Sequence, residues 1–165
     1  MNIYKLSSIY QVRKLDENDV SLIYSLCSKN ELYYTYYPPF VTLDSIKEDL
    51  KALPSGKEMK DKYFLGFFLR EKLIAILDLI MFYPDYETAF IGLFMCDINM
   101  QNKGIGTALI NEICSYLKQI NIKHLRLAWV KDNPQASHFW FKNGFEVIKE
   151  VINNDIVLCL GNKIL

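Results

Sequence analysis

One short stretch, Gln101-Asn102-Lys103-Gly104-Ile105-Gly106-Thr107, lies between two segments of different periodicity and dictates how the chain around it must run. Before it, residues 88–98 are rich in Phe, Ile, Leu and Met and read as a strand. After it, Ile105, Leu109, Ile113, Tyr116, Leu117 and Ile120 recur at helical spacing, in a helix that ends near Asn121. Gly104 and Gly106 therefore fall where a strand turns into a helix. Glycine tolerates positive φ there and puts no Cβ between the backbone and a ligand. The first amides of a helix have no internal partners and sit at the positive end of its dipole. A loop of such amides suits an anion, phosphate above all. Lys103 and the Gln101 side chain can add donors. A plain strand-to-helix turn would use the same two glycines. The stretch lacks the Gly-Lys-Ser/Thr ending of a P-loop and the third glycine of a dinucleotide fingerprint.

The rest of the chain alternates in kind around this turn. Residues 11–15 read as a first strand, and Asp16 or Asn18 can cap a helix with Val20, Ile23, Tyr24 and Cys27 on one face. Residues 33–40 end in Pro38-Pro39-Phe40, which biases the segment to extended or turn geometry. Thr42 or Asp44 then caps a helix with Ile46, Leu50 and Leu53 inward, followed by a charged loop at 57–62. Residues 63–69 and 73–82 form a hairpin around Arg70-Glu71-Lys72, and Pro84-Asp85 turns the chain into the strand at 88–98. Strands joined by such short turns make an antiparallel meander. Beyond the glycine loop and its helix come a strand at 124–130 and a short helix at 135–142 stopped by Gly144. A final hairpin, 145–151 with 156–160, closes on Asn153-Asn154-Asp155. The expected architecture is α+β. One mixed, mostly antiparallel sheet of about seven strands is flanked by about four helices, all within a single domain at 1–165.

Composition narrows the function classes. The chain carries 19 basic and 19 acidic residues, which argues against an electrostatic nucleic-acid binder. Cys27, Cys96, Cys114 and Cys159 are scattered, without the spacing of a zinc site or a disulfide framework, and read as buried thiols. No metal is expected. The longest apolar run, residues 73–83, is too short for a membrane span and contains Asp78. The first residues lack the basic-then-apolar layout of a signal peptide, so the expected location is cytoplasmic.

Three motifs in this order and spacing resemble those of one family. Gln101-x-x-Gly104-x-Gly106 resembles the Gln/Arg-x-x-Gly-x-Gly/Ala acyl-CoA motif of the GNAT family of N-acetyltransferases. The preceding Ile91-Gly92-Leu93-Phe94-Met95-Cys96-Asp97 looks like its central strand. Asn133-Pro134-Gln135-Ala136, followed by Lys142-Asn143-Gly144-Phe145, resembles its Asn-x-x-Ala…Lys-x-Gly-Phe segment. The resemblance implies the acyl-CoA N-acyltransferase fold, in which two parallel strands, here 88–98 and 124–130, splay apart to admit acetyl-CoA. It further implies that Gln101, Asn102, Lys103, Gly104, Ile105, Gly106 and Thr107 hold the pyrophosphate, mostly through backbone amides. Phe94, Met95 and Cys96 would offer strand amides and carbonyls to the pantetheine arm, and one such amide would stabilise the thioester oxyanion. Asn133 would contact the arm and Ala136 would leave it room. Asn133 before Pro134 also suits a helix cap, and both roles are compatible.

The implied reaction is direct attack of a primary amine on the thioester, with a small-molecule amine as acceptor. Many family members place a tyrosine, as the thiol's proton donor, where this chain has Trp140. An indole N–H donates a hydrogen bond but is no useful acid, so Trp140 reads as a wall of the cofactor channel. Tyr83, Glu87 and His138 are the candidate catalytic groups. Tyr83 lies, with Tyr86, in the turn before the central strand, Glu87 at that strand's start, and His138 on the short helix. Asp78 and Asp97 are further candidates for a base, beside deprotonation through water. Asp78 interrupts an apolar strand on the face opposite Leu77 and Leu79, which places it either towards solvent or deliberately inside. Asp97 is better suited to bracing the turn. The aromatic segment with Tyr33, Tyr34 and Tyr36 is the candidate acceptor wall, alongside Asp78; packing onto the core or a homodimer contact would account for the same residues. Two further functional readings stand beside the small-molecule enzyme. One is an acetyltransferase for protein N-termini or lysines. The other is a non-catalytic acyl-CoA sensor, which Trp140 favours.

Overall fold

The computed structural model describes all 165 residues. Its strands are β1 (Gln11–Lys14), β2 (Lys62–Leu69), β3 (Lys72–Met81), β4 (Thr88–Cys96), β5 (His124–Val130), β6 (Glu146–Asn153) and β7 (Ile156–Ile164). Its α-helices are α1 (Val20–Cys27), α2 (Glu31–Tyr36), α3 (Leu43–Lys51), α4 (Ile105–Gln119) and α5 (Pro134–Lys142). The strands form one mixed sheet in the order β1-β2-β3-β4-β5-β7-β6. Only β4 and β5 pair in parallel; every other neighbouring pair is antiparallel. The parallel pair requires a crossover, and α4 supplies it.

The two faces of the sheet bury separate apolar clusters. On one, Leu65, Phe67, Leu77, Leu79, Ile91 and Leu127 pack against Leu109, Ile110, Ile113 and Leu117 of α4. On the other, Phe64, Phe68, Ile76 and Met95 meet Ile23 and Leu26 of α1 and Ile46 and Leu50 of α3. Thr42 caps α3 reciprocally with Ser45, their side chains and amides bonding at 3.0 Å in both directions. No helix is long and apolar enough to cross a membrane.

Three expectations are corrected. The sheet carries five α-helices instead of four, because Glu31–Tyr36 is helical where an extended segment was expected. Pro38 and Pro39 restrict the backbone only from Tyr37 onward. The residues ahead of them are free to close helical bonds, such as Tyr37 N to Tyr33 O at 2.9 Å. Lys62 is not part of a solvated loop: it opens β2 and is only 3% exposed. The central strand stops at Cys96, where Asp97 caps a short turn through its side-chain bond to the Asn99 amide, 2.8 Å.

Candidate functional site

Parallel pairing joins β4 to β5 only from Thr88 to Ile91 and from His124 to Leu127. Beyond that point β4 stays bonded to β3 as far as Cys96, and β5 to β7 as far as Val130. The two strands part, and a cleft of about 520 Å³ opens between them. The Asp97 amide donates to Ile74 O at 2.8 Å. Because antiparallel bonding alternates, the backbone groups of Phe94 and Cys96 then turn away from β3 and towards the gap. The Cys96 carbonyl is already engaged by Asn30 Nδ2 at 3.2 Å and Gln101 Nε2 at 3.3 Å. The amide and carbonyl of Phe94 are left facing the cleft.

At the C-terminal end of β4 the chain turns into α4 through Gly104, whose φ is 78°. The first intrahelical bond runs from Ala108 N to Gly104 O at 2.9 Å, and the amides from Asn102 through Thr107 donate to no protein acceptor. A Cβ at Gly104 would have nothing within 4 Å, so the approach to these amides is open. At Gly106 a Cβ would stand 3.1 Å from the Phe139 ring. A row of unpaired N–H groups at the positive end of a 15-residue helix is built to hold an anion.

The facing wall is α5. Asn133 caps it, accepting the Ala136 amide at 3.1 Å, while Pro134 takes the first helical position. Phe139 stacks on Phe94 with ring centres 6.0 Å apart, and Trp140 stands edge-on to Phe94, Phe139 and Phe145. Gln135 Nε2 donates to Gln101 Oε1 at 3.3 Å across the mouth of the cleft. Gln101 Nε2 in turn donates to the buried Asn30 at 2.6 Å. One chain of amide side chains thus ties α5, the glycine loop and the start of α2.

The other end of the cleft is aromatic. Tyr33, Tyr37 and Phe90 line it with Gly92 and Leu93. Tyr33 and Tyr37 lie one helical turn apart and share a face. The Tyr37 hydroxyl accepts a bond from Asn153 Nδ2 at 3.0 Å, which brings the β6–β7 turn over this end. Burial pushes the Tyr33 hydroxyl well above the ordinary phenol range, ahead of the charges of Tyr37 and Asp49, so it stays protonated.

The model of the acetyltransferase (GNAT) family matches residues 29–145, more than half of the chain. The chain belongs to the GNAT family. Among solved structures, an acetyltransferase from Thermus thermophilus superposes with a TM-score of 0.77 at 20% identity, over 94% of this chain and 97% of that one. The aminoglycoside acetyltransferase AAC(6')-Ib, in complex with coenzyme A, gives 0.72 at 16% identity, over 94% of each chain. At these identities the likeness is one of fold. An uncharacterized protein of Bacillus subtilis strain 168, YxbD, is 35% identical over 57 residues, spanning 34% of this chain and only 36% of that relative.

In this GNAT chain the cleft brings together many of the residues singled out from sequence. Phe94, Met95, Cys96, Gln101, Asn102, Gly104, Gly106, Thr107, Asn133, Ala136, Trp140, His138 and Tyr33 all line it. Lys103 and Ile105 do not; Ile105 packs onto the core from the first turn of α4. Tyr34 turns inward, with its ring 5.0 Å from Phe40 and its hydroxyl bonded to Cys27, and Tyr36 also stays outside the lining. Tyr83 touches the site only through its edge contact with Phe90, 5.7 Å between rings. Glu87 stands at the joined end of the strands, in an ion pair with Lys123. Asp78 is inside the fold, behind Gly92, in an ion pair with Lys62. Asn30, Tyr37, Phe90 and Gln135 were not singled out. Tyr37 had a signal, four residues on from Tyr33, which becomes visible only if the segment is read as helix. Asn30 had none, because its partners Gln101 and Cys96 lie far away in sequence.

Proposed function

We propose that this GNAT domain, residues 1–165, is an N-acetyltransferase that moves an acetyl group from acetyl-CoA to a primary amine of a small molecule. The observation carrying this reading is the parted β4–β5 pair with unpaired amides at one end and an aromatic pocket at the other. Acetyl-CoA supplies an acetyl thioester, an acyl group already activated for transfer. The amides from Asn102 to Thr107 would hold its diphosphate, helped by Lys103 and Gln101. The Phe94 amide and carbonyl would align the pantetheine arm like an added strand. An amide aimed at the thioester oxygen contributes about 3 kcal/mol to such reactions. Asn133, whose Oδ1 is taken by its cap, retains its side-chain nitrogen for the arm. Trp140 and Phe139 would exclude water from the other side.

A small acceptor is favoured by the Tyr37–Asn153 bond, which makes the aromatic end a roofed pocket and not an open groove for a peptide. The neighbour that is an aminoglycoside acetyltransferase supports the same choice. An alkyl amine with a pKa of about 10.4 must lose a proton before attack, which costs about 4.6 kcal/mol at pH 7. Correct placement in an apolar pocket, with a proton acceptor near, offsets part of this. His138, exposed on the cleft side of α5, is the candidate for returning a proton to the departing thiol, and Tyr83 the more remote one. Four buried, unpaired cysteines suit a reducing compartment, and we assign the cytoplasm.

The test is release of free coenzyme A across polyamines, aminoglycosides, amino acids and short peptides, with acetyl-CoA fixed. Release driven by small amines supports the proposal. Release by peptides alone would transfer it to protein acetylation. Calorimetric binding of acetyl-CoA without acceptor-dependent release would make the domain a sensor.

A further inference from the structure

The cleft floor at the aromatic end hides a charged group. Asp78 on β3 is 9% exposed, and its Oδ2 receives Lys62 Nζ at 2.7 Å. Lys62 also donates to Ala52 O at 2.9 Å and stands over the Phe64 ring. The second carboxylate oxygen, Oδ1, is buried and has no hydrogen-bond partner. Buried carboxylate oxygens are ordinarily satisfied, so an open one marks a missing donor. Asp49 of α3 feels both Asp78 and Lys62. Two carboxylates against one ammonium leave the group one positive charge short.

The sequence opens a path to this oxygen. Asp78 pairs with Leu93 and Leu79 with Ile91, so Gly92 is an extra residue that bulges out of β4. A Cβ at position 92 would lie 2.7 Å from Asp78 Oδ2 and 3.3 Å from its carboxyl carbon. Only glycine there lets the carboxylate reach the strand, and Gly92 lines the cleft beside Phe90 and Leu93. It lies one residue past Ile91, where β4 and β5 begin to part. A pantetheine arm laid along Phe94 from the amide loop points its thiol end at this vertex.

We propose that Asp78, reached through the gap at Gly92, holds the reacting ammonium group of the acceptor and accepts its proton. This rests on the acetyltransferase reading and names its acceptor as an amine that arrives as a cation. The acceptor's N–H bond breaks and the proton passes to Asp78 Oδ1. The freed lone pair forms the N–C bond as the thioester C–S bond breaks, and the second nitrogen proton goes to the departing thiolate. Asp78 is suited to the step because burial raises its carboxyl above the ordinary range, while the Lys62 hydrogen bond holds it back from full neutralisation. The titratable groups facing it are Lys62 from β2 and Asp49 from α3, with Tyr33 of α2 beyond Asp49; β4 presents only Gly92 and Leu93.

The experiment follows the Asp78 carboxyl carbon by NMR in the full chain with coenzyme A present. The signal is assigned with Asp78→Asn, and n-propylamine is the probe. Added amine is expected to move this signal and lower the carboxyl's pKa by at least one unit; an unmoved signal overturns the proposal. In parallel, Asp78→Asn should lower amine kcat/KM at least 100-fold. It should also remove the limb of the pH profile that rises with Asp78 ionisation, with calorimetric coenzyme A binding within threefold of wild type. Should Asp78→Asn fold poorly, the double change Lys62→Met with Asp78→Leu removes both charges together and must show the same loss. A variant that binds coenzyme A and keeps kcat/KM within threefold overturns the assignment while the transferase reading stands. A moved NMR signal without acetyl transfer to any amine would leave the amine site and remove the transferase.

Discussion

At the scale of single residues, the two glycines of the loop turn out to do different things. Gly104 has φ of 78° and open space around its missing Cβ; Gly106 sits in the first turn of α4, tight against Phe139. Gly104→Ala should therefore destabilise the fold by ~1 kcal/mol through backbone strain alone and tilt the amides that follow. Gly106→Ala should leave stability within ~0.5 kcal/mol, as substitutions free of a named defect usually do. Its new methyl nonetheless stands between the Phe139 ring and the anion's approach, and coenzyme A affinity should fall at least tenfold. Urea unfolding set beside calorimetry checks both. A second residue-scale expectation concerns the thiols. Burial pushes Cys27 and Cys96 up to about 12, and raises Cys114 and Cys159 as well. The thiolate is the reactive form, so at pH 7.5 an aromatic disulfide reagent should label none of the four within minutes, and all four in denaturant. A thiol-release assay would then read coenzyme A without background from the enzyme.

At the scale of elements, α2 explains what the sequence concealed. Prolines at 38 and 39 suggested an extended segment, yet their steric reach covers only the residue before them. The helix ahead of them turns Tyr33 and Tyr37 towards the cleft and Tyr34 back to Cys27. The aromatic wall was thus legible as a segment but not residue by residue, since which side chains face inward depends on the period chosen. What holds α2 in place is Asn30, through Leu26 O at 3.0 Å, Cys96 O at 3.2 Å and Gln101 at 2.6 Å. Asn30→Ala would strand the Gln101 amide, and losing satisfied buried polar bonds costs about 1–3 kcal/mol. Unfolding should register that loss, and coenzyme A binding should weaken because Gln101 is no longer aimed. Tyr37→Phe is milder. It removes only the Asn153 bond at 3.0 Å, so the Michaelis constant of the acceptor should rise several-fold while that of acetyl-CoA stays put. Equal rises in both would place Tyr37 in the cofactor channel instead.

For the molecule as a whole, the sheet's architecture follows from two kinds of connection. Short turns force the β2-β3-β4 meander, and the one long helical crossover forces β5 to lie parallel to β4. Both were readable from periodicity and turn residues. The insertion of β7 between β5 and β6 was not, because a hairpin pairs equally well with either of its strands inward. Here Gly161 decides it: Trp129 of β5 lies over β7 so closely that a Cβ at 161 would come within 2.3 Å of its ring. Nor was the ion pair of Lys62 and Asp78 readable, since it joins residues 16 apart across a strand pair whose register the sequence leaves open. The parted strands have a consequence for the entire fold. Each arm of the wedge is bonded on its outer side only, to β3 or to β7, so a ligand laid between them supplies what the sheet lacks there. Binding to the folded form alone stabilises it by about 2.7 kcal/mol when the ligand is at 100 times its dissociation constant. A chain of this length gains about 2–4 °C for each kcal/mol. Saturating acetyl-CoA should thus raise the melting temperature by about 5–11 °C in a thermal scan. The Gly106→Ala chain, with its fold intact, should need at least tenfold more ligand for the same rise. If acetyl-CoA leaves the melting temperature of the wild-type chain unchanged at millimolar concentration, the wedge is no acyl-CoA site.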